Sequence, residues 1–128
     1  MNQVLFPVFV KLKDSGDVVR YDSIAKMKNH CEKIDVENGE YEVWDASGAH
    51  LALSVQDSSQ WLRIERIPIS QPEQLAKAIT EFARLKDVDV DISLLRAGDF
   101  SAAFEQVTSA VEAKRKSISW WRRFTQRF

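Results

Sequence analysis

Residues 40–67, EYEVWDASGAHLALSVQDSSQWLRIERI, carry the most regular alternation of apolar and polar side chains in this chain of 128 residues. Such alternation is typical of half-buried strands, because successive side chains of a strand point to opposite faces of the sheet. Two turn-forming segments, 45–49 and 57–60, divide the stretch into three parts. It therefore predicts three consecutive antiparallel strands, and no other stretch constrains the fold as strongly.

The turn at residues 45–49 sets the pairing of the first two strands. Gly48 can take the left-handed conformation that closes a short hairpin loop, and this loop pairs Asp45 with Ala49. The predicted register brings apolar residues together on one face: Tyr41, Val43, Leu51, Leu53, Val55, Leu62 and Ile64. The other face is polar except for two tryptophans: Glu42, Trp44, His50, Ala52, Ser54, Trp61, Arg63 and Glu65. A slip of one residue would exchange the two faces, so burial of the apolar face fixes the register.

Two strands and a helix are predicted before this stretch. Residues 4–13 alternate as a strand, in which Pro7 indicates an edge position or a bulge, because proline donates no ladder hydrogen bond. Residues 18–21 follow a turn and return as a second strand. Ser23 is a suitable N-cap for a helix whose apolar residues recur at helical spacing: Ile24, Met27, Cys31 and Ile34.

A second helix is predicted after the three strands. Residues 67–69 contain Pro68 and are expected to interrupt the strand ladder. The sequence SQPE at residues 70–73 has the capping-box pattern, with Pro72 in the first helical turn, where it loses no hydrogen bond. The apolar stripe of this helix extends to Leu85.

The last third of the chain predicts one long helix. Residues 87–92 alternate aspartate with apolar residues, and they fit a short strand, an extended linker or a loop that enters a helical turn. Asp99 is a good N-cap after Gly98. From Phe100 onward, apolar residues recur in steps of three and four, so the pattern predicts a helix that runs into the C-terminal residues.

Together these elements predict a single α+β domain. It has a five-stranded, mostly antiparallel sheet, the element order ββαβββαα, helices packed on one face and a long C-terminal amphipathic helix. Residues 1–113 form the predicted domain, and residues 114–128 are a helical extension of it. A hydrophobic share of 45% in a chain of this length is enough for a core that needs no disulfides.

Charge is distributed unevenly along the chain. The net charge is −1, but residues 114–128, called the basic tail below, hold six basic residues and no acidic one. Residues 1–113 hold 12 basic and 19 acidic residues. No apolar run approaches the roughly 20 residues that span a bilayer, and Cys31 is the only cysteine. We therefore expect a cytoplasmic protein.

An apparent calcium loop lacks the residues that the ion requires. Asp87, Asp89 and Asp91 resemble the start of such a loop, where alternate carboxylates converge on the cation. However, Ile92 stands in place of the turn glycine, and Gly98 stands in place of the bidentate glutamate. A solvated polar edge is the better interpretation.

The adjacent pair His30 and Cys31 is the other candidate for chemistry. Neighbouring residues on a helix point about 100° apart, so the two side chains do not face one site. Cys31 shares the apolar stripe of Met27, where a buried structural cysteine is the ordinary outcome. The chain has no glycine-rich phosphate loop and no nucleophile elbow. We predict no catalytic residue, no metal site and no cofactor.

The predicted contact residues lie in the basic tail and on the tryptophan face of the sheet. They are Lys116, Trp120, Trp121, Arg122, Arg123, Phe124, Arg127 and Phe128, with Trp44, Trp61 and Arg63. His50 is expected to pack on the ring of Trp44. We expect another part of the chain to cover Trp44 and Trp61, in preference to contact with a binding partner. We hypothesise that the last helix, or its copy from a second chain, reaches that face.

A non-catalytic interaction or accessory protein is the function that these features favour, with another protein or a second copy as the partner. A basic helix with an aromatic stripe is also typical of anionic membrane surfaces. Arginines beside aromatic residues can contact nucleic acid as well, but the acidic body would repel phosphate, so this alternative is the least favoured. The tail stripe continues in phase from Phe100, which favours a tail that packs on its own core or on a second copy.

Overall fold

The computed structural model describes residues 3–126, without the side chains of residues 69 and 118–126. The strands are β1 (Val8–Leu12), β2 (Val18–Tyr21), β3 (Tyr41–Trp44), β4 (Ala49–Val55) and β5 (Leu62–Ser70). The helices are α1 (Ile24–His30), α2 (Lys33–Glu37), α3 (Pro72–Leu85), α4 (Ile92–Arg96) and α5 (Phe100–Gln126). The α+β class and the predicted order of the main elements are confirmed, with the first predicted helix divided in two and α4 added.

The five strands form an open antiparallel sheet in the order β2-β1-β3-β4-β5. The predicted register is confirmed: Val43 pairs with Leu51, and Leu53 pairs with Ile64. The hairpin loop is also as predicted, because Gly48 has a φ of +85° and its N–H donates to the carbonyl oxygen of Asp45 at 3.0 Å. The hairpin loop and the alternation of apolar and polar residues together determine the register of these strands.

The prediction made from Pro7 was wrong, and the one made from Pro68 is confirmed. β1 begins after Pro7 and lies between β2 and β3, so Pro7 marks neither an edge nor a bulge. Pro68 lies inside β5, and the ladder is interrupted there as predicted, because pairing passes from Leu51–Arg66 to Ala49–Ser70. β5 is an edge strand, and its register against β4 shifts between Ala49 and Leu51, opposite the segment that contains Pro68. An edge and a register irregularity both tolerate a missing N–H.

The first predicted helix is divided at Cys31. Its start is confirmed, because the N–H of Lys26 donates to Ser23 Oγ at 3.2 Å. Cys31 then takes an extended conformation, with φ −84° and ψ 134°, and ends α1. Because α2 starts in a new direction, Ile34 leaves the predicted stripe and is 59% exposed.

The predicted capping box of the second long helix was also wrong. α3 does begin at Pro72, but its N-cap is Gln71, whose side chain makes no capping hydrogen bond. Ser70 instead ends β5 and pairs with Ala49. Sheet pairing therefore holds Ser70 in the extended strand.

The loop after α3 leads into α4, which was one of three alternatives for residues 87–92. Asp91 caps α4, since its Oδ1 accepts from the N–H and the hydroxyl of Ser93 at 2.9 Å and 2.6 Å. The predicted N-cap of α5 is confirmed, because the N–H of Ala102 donates to Asp99 Oδ1 at 3.2 Å.

The helices cover both faces of the sheet, not one face as predicted. Phe9 and Trp44 belong to a core with α3, α4 and α5, whereas Val8 and Val43 belong to a second core with α1 and α2. Val8 and Phe9 are neighbours along β1, and Val43 and Trp44 are neighbours along β3, so the two cores lie on opposite faces. β1 and β3 are apolar on both faces, and each face therefore requires a cover.

Candidate interaction surfaces

Trp44 is part of the interior. It is 1% exposed and lies in the same core as Ile79 of α3 and Phe104 of α5. Its ring stacks on His50 with a centroid separation of 5.7 Å and an interplanar angle of 18°, which confirms the expected packing. Within the described part of the chain, its Nε1 has no hydrogen-bond acceptor. Trp44 is therefore covered by its own chain. The part of α5 in this core is the start of the helix, from Phe100 to Val107.

Trp61 does not share a face of the sheet with Trp44, whereas Arg63 does, because it pairs with Ser54. Trp61 is half-buried against the core on the opposite face, with Lys33 Nζ 5.7 Å from its ring centroid. The prediction that Trp61 lies on the same face as Trp44 was wrong. Trp61 precedes β5, so the alternation of side chains along the strand does not determine its direction. Arg63 is exposed and pairs with Glu65. The sheet offers no joint tryptophan platform among the described residues.

α5 divides into a buried part and an exposed part. Its 27 residues correspond to a length of about 40 Å. Phe100, Phe104 and Val107 are buried in the core, and Val111 packs partly against it. Every residue from 112 to 117 is exposed, including the predicted contact residue Lys116. The helix therefore leaves the core after Val111.

The remaining predicted contact residues of the tail have undescribed side chains. The backbone of α5 includes Trp120, Trp121, Arg122, Arg123 and Phe124, but their side chains lie outside the described residues, as do Arg127 and Phe128 entirely. The first described contact of the basic tail is the ion pair between Lys114 Nζ and Asp87 Oδ2 at 3.0 Å.

The sequence of α5 is polarised in charge. Residues 100–113 contain Glu105 and Glu112 and no basic residue, whereas the basic tail contains no acidic residue. Basic residues near a helix C-terminus interact favourably with the helix dipole. The two halves of the helix sequence therefore carry charge of opposite sign.

A groove that sequence reasoning missed lies between α3, α4 and the tip of the β3–β4 hairpin. We call it the α3–α4 groove; its volume is about 610 Å³. Its lining is mainly apolar, with Pro72, Ala76, Ile92, Leu95 and Phe100 beside the polar residues Ser47, Glu73, Thr80 and Arg96. No local pattern could have revealed it, because its walls come from segments distant in sequence.

The groove continues along α3 as a second depression. Thr80 and Ile92 line both, and the second one, of about 440 Å³, adds Asp87, Asp89 and Arg84. Ile92 is 57% exposed at the junction, so it adds apolar surface that another segment can cover. An apolar floor with acidic residues along one end is suited to a basic, aromatic segment.

The buried thiol lies among tyrosines on the other face. Cys31 is 5% exposed, and burial raises the pKa of its thiol. Burial, and then the neighbouring thiol, raises the pKa of Tyr21 to about 12, and the same two causes raise the pKa of Tyr41 to about 12. A thiol with a raised pKa stays protonated at neutral pH, and Cys31 and Tyr21 are part of the core on this face.

The described residues contain no group of three or more His, Cys, Asp or Glu side chains arranged to hold a metal ion. None of the described helices is both long and apolar enough to cross a membrane.

The chain matches no protein-family model, no curated protein and no solved structure.

Proposed function

We propose that this protein is a non-catalytic interaction protein that binds a protein partner through its basic tail. The observation that carries this proposal is the change in burial along α5. Val107 is fully buried, whereas residues 112–117 are all exposed in the same continuous helix. Tertiary packing is the main source of helix stability in proteins, so a helix that leaves its own core gains stability from a partner.

The tail sequence supplies residues that are effective in binding. Trp120, Trp121 and Phe124 follow the exposed segment, together with Arg122 and Arg123. Tryptophan and arginine are enriched among the residues that carry most of the energy of protein–protein interfaces. Residues 1–113, with their excess of acidic residues, disfavour lipid or nucleic-acid phosphates as the partner. A cytoplasmic location is part of the proposal, since Cys31 is a free buried thiol.

Charge reversal in the tail of the full chain tests the proposal. The variant Arg122→Glu/Arg123→Glu is compared with Lys13→Glu/Lys77→Glu, which changes the same charge at two exposed lysines on the domain. Each protein is used to capture partners from cytosolic extract, and its binding to anionic vesicles and to single-stranded DNA is measured in parallel. Thermal melts establish that all three proteins fold.

We expect the tail variant to lose the captured protein and the control to retain it. Identical capture by both variants would contradict the proposal. Tail-dependent binding to vesicles or DNA without any protein partner would replace it with the membrane or nucleic-acid alternative.

A further inference from the structure

We propose that the partner of the basic tail is a second copy of this chain, whose α3–α4 groove receives the tail. This inference rests on the proposed function, because it names the partner of the same element. It is carried by the reach of α5, by the charge pattern along that helix and by the lining of the groove.

The basic tail is too far from the groove of its own chain to enter it. Phe100 lines the groove at the start of α5, and Trp121 lies about 32 Å further along the same helix. A continuous helix cannot return its end to its own beginning, so a tail that enters this groove belongs to another molecule. If two α5 helices lie antiparallel, each tail approaches the other copy's groove. A single two-fold axis then forms both contacts, which closes the assembly as a dimer.

Charge also favours the antiparallel arrangement, which sets the basic tail of one copy beside residues 100–113 of the other, whose only charged residues are Glu105 and Glu112. Asp89 lines the end of the groove beside Arg84. Asp87 and Glu105 already pair with Lys114 and Arg20 of their own chain, so a second basic segment would add to these ion pairs. Complementary charge in this arrangement accelerates association and fixes the orientation of the two helices.

The α3–α4 groove is large enough to hold aromatic side chains. Its volume of about 610 Å³ is within the range of roughly 300–1,000 Å³ that is typical of ligand sites. Small residues, Ala76, Ala97 and Gly98, leave room between Pro72 and Ile92 for aromatic rings. Burial of 57%-exposed Ile92 by a tail tryptophan removes apolar surface from water on both partners.

The experiment measures self-association of the purified full chain by sedimentation velocity. We expect a concentration-dependent dimer that weakens with added salt. Ile92→Glu in the groove and Arg122→Glu/Arg123→Glu in the tail are each expected to raise the dimer Kd by more than about tenfold. Ile34→Glu is the matched control, since Ile34 is 59% exposed on α2 and lies outside the groove, and it is expected to leave the Kd unchanged.

Mixing distinguishes this contact from a general loss of association. The Ile92→Glu protein retains its tail, and the Arg122→Glu/Arg123→Glu protein retains its groove. We expect the mixture to form heterodimers through one intact contact. An Ile92→Cys protein oxidised with a Trp121→Cys protein should give a covalent heterodimer, whereas Ile34→Cys should not. Cys31 is buried and does not compete for the disulfide.

The outcomes separate this inference from the proposed function. A chain that stays monomeric up to about 1 mM, or an Ile92→Glu variant that dimerises like the parent, overturns the inference. If tail-dependent capture of another protein persists in that case, the proposed function stands with a different partner. If capture does not depend on the tail either, both proposals fall.

Discussion

Asp45 and Ala49 are joined by two hydrogen bonds that close the central hairpin. The N–H of Asp45 donates to the carbonyl oxygen of Ala49 at 2.9 Å, and the N–H of Ala49 donates to Asp45 Oδ1 at 3.0 Å. The carboxylate is fully buried, and it also accepts from the N–H and hydroxyl of Ser47 and from the N–H of Leu5. Several N–H donors compensate the burial of a charge that would otherwise be costly.

We therefore expect Asp45→Ala to lower the free energy of unfolding by about 3 kcal/mol, because it leaves several N–H groups of the loop without an acceptor. Urea denaturation measures the change. Ser47→Ala is the control: it removes only a hydroxyl donor and should cost about 1 kcal/mol. Equal losses for the two variants would show that the carboxylate does not organise the loop.

Gly48 is predicted to be intolerant of alanine for two reasons. Its φ of +85° disfavours any residue with a Cβ, and that atom would lie 2.6 Å from Pro72 Cβ and 2.8 Å from Pro72 Cα. Gly39 separates the two effects, since its φ is +67° but a Cβ there meets nothing within 4 Å. We expect a loss of about 1 kcal/mol for Gly39→Ala and about 3 kcal/mol for Gly48→Ala in thermal or urea unfolding. Similar losses would mean that the hairpin tip is not packed tightly on α3.

Trp44 is predicted to stabilise the fold through its volume and not through its indole N–H. Because Nε1 has no acceptor within the described part of the chain, replacement by phenylalanine removes a desolvated donor as well as part of the packing. We expect Trp44→Phe to cost about 1 kcal/mol and Trp44→Ala about 4 kcal/mol of unfolding free energy. A cost for Trp44→Phe close to that of Trp44→Ala would indicate an acceptor for the indole.

The parts of the fold that could be predicted from the sequence are those set by local chemistry. Alternation in β3, β4 and β5, together with the Gly48 loop, was sufficient for the register, because a strand shifted by one residue buries its polar side. The caps at Ser23 and Asp99 were predictable because each side chain satisfies a neighbouring N–H.

The parts that could not be predicted depend on contacts between distant segments. No glycine or proline marks the break between α1 and α2 at Cys31. The apolar residues from Ile24 to Ile34 recur at helical spacing, so they fitted one continuous helix as well as two short ones. Trp44 looked like a residue of a polar face because its cover, α3 and α5, lies much later in the chain. The α3–α4 groove required the hairpin tip and Phe100 to meet, which only the folded chain shows.

Alkaline pH is predicted to weaken the fold through its tyrosines. The pKa of Tyr21 rises from 10.0 to about 12 on folding, mainly through burial, so the unfolded chain loses this proton first. The contribution of Tyr21 to stability is therefore complete below about pH 10 and is lost as the pH rises toward about 12. Tyr41 acts in the same direction. The urea midpoint of the parent should fall across this interval, and Tyr21→Phe should reduce the slope. A slope unchanged in Tyr21→Phe/Tyr41→Phe, which lacks every tyrosine of the chain, would assign the effect to other groups.

Removal of residues 118–128 is predicted to leave the isolated domain nearly as stable as the parent. Among the described side chains of α5, the last buried one is Val107, and residues 112–117 are exposed, so we expect the deletion to leave the core intact. We expect the free energy of unfolding to change by less than about 1 kcal/mol. The measurement belongs at low protein concentration, because self-association would stabilise the parent alone. Val107→Ala is the internal reference, with an expected cost of about 2 kcal/mol from a cavity in the same helix. A deletion that costs as much as Val107→Ala would mean that the tail completes the core of its own chain, and the proposed role of the tail in binding would fail with it.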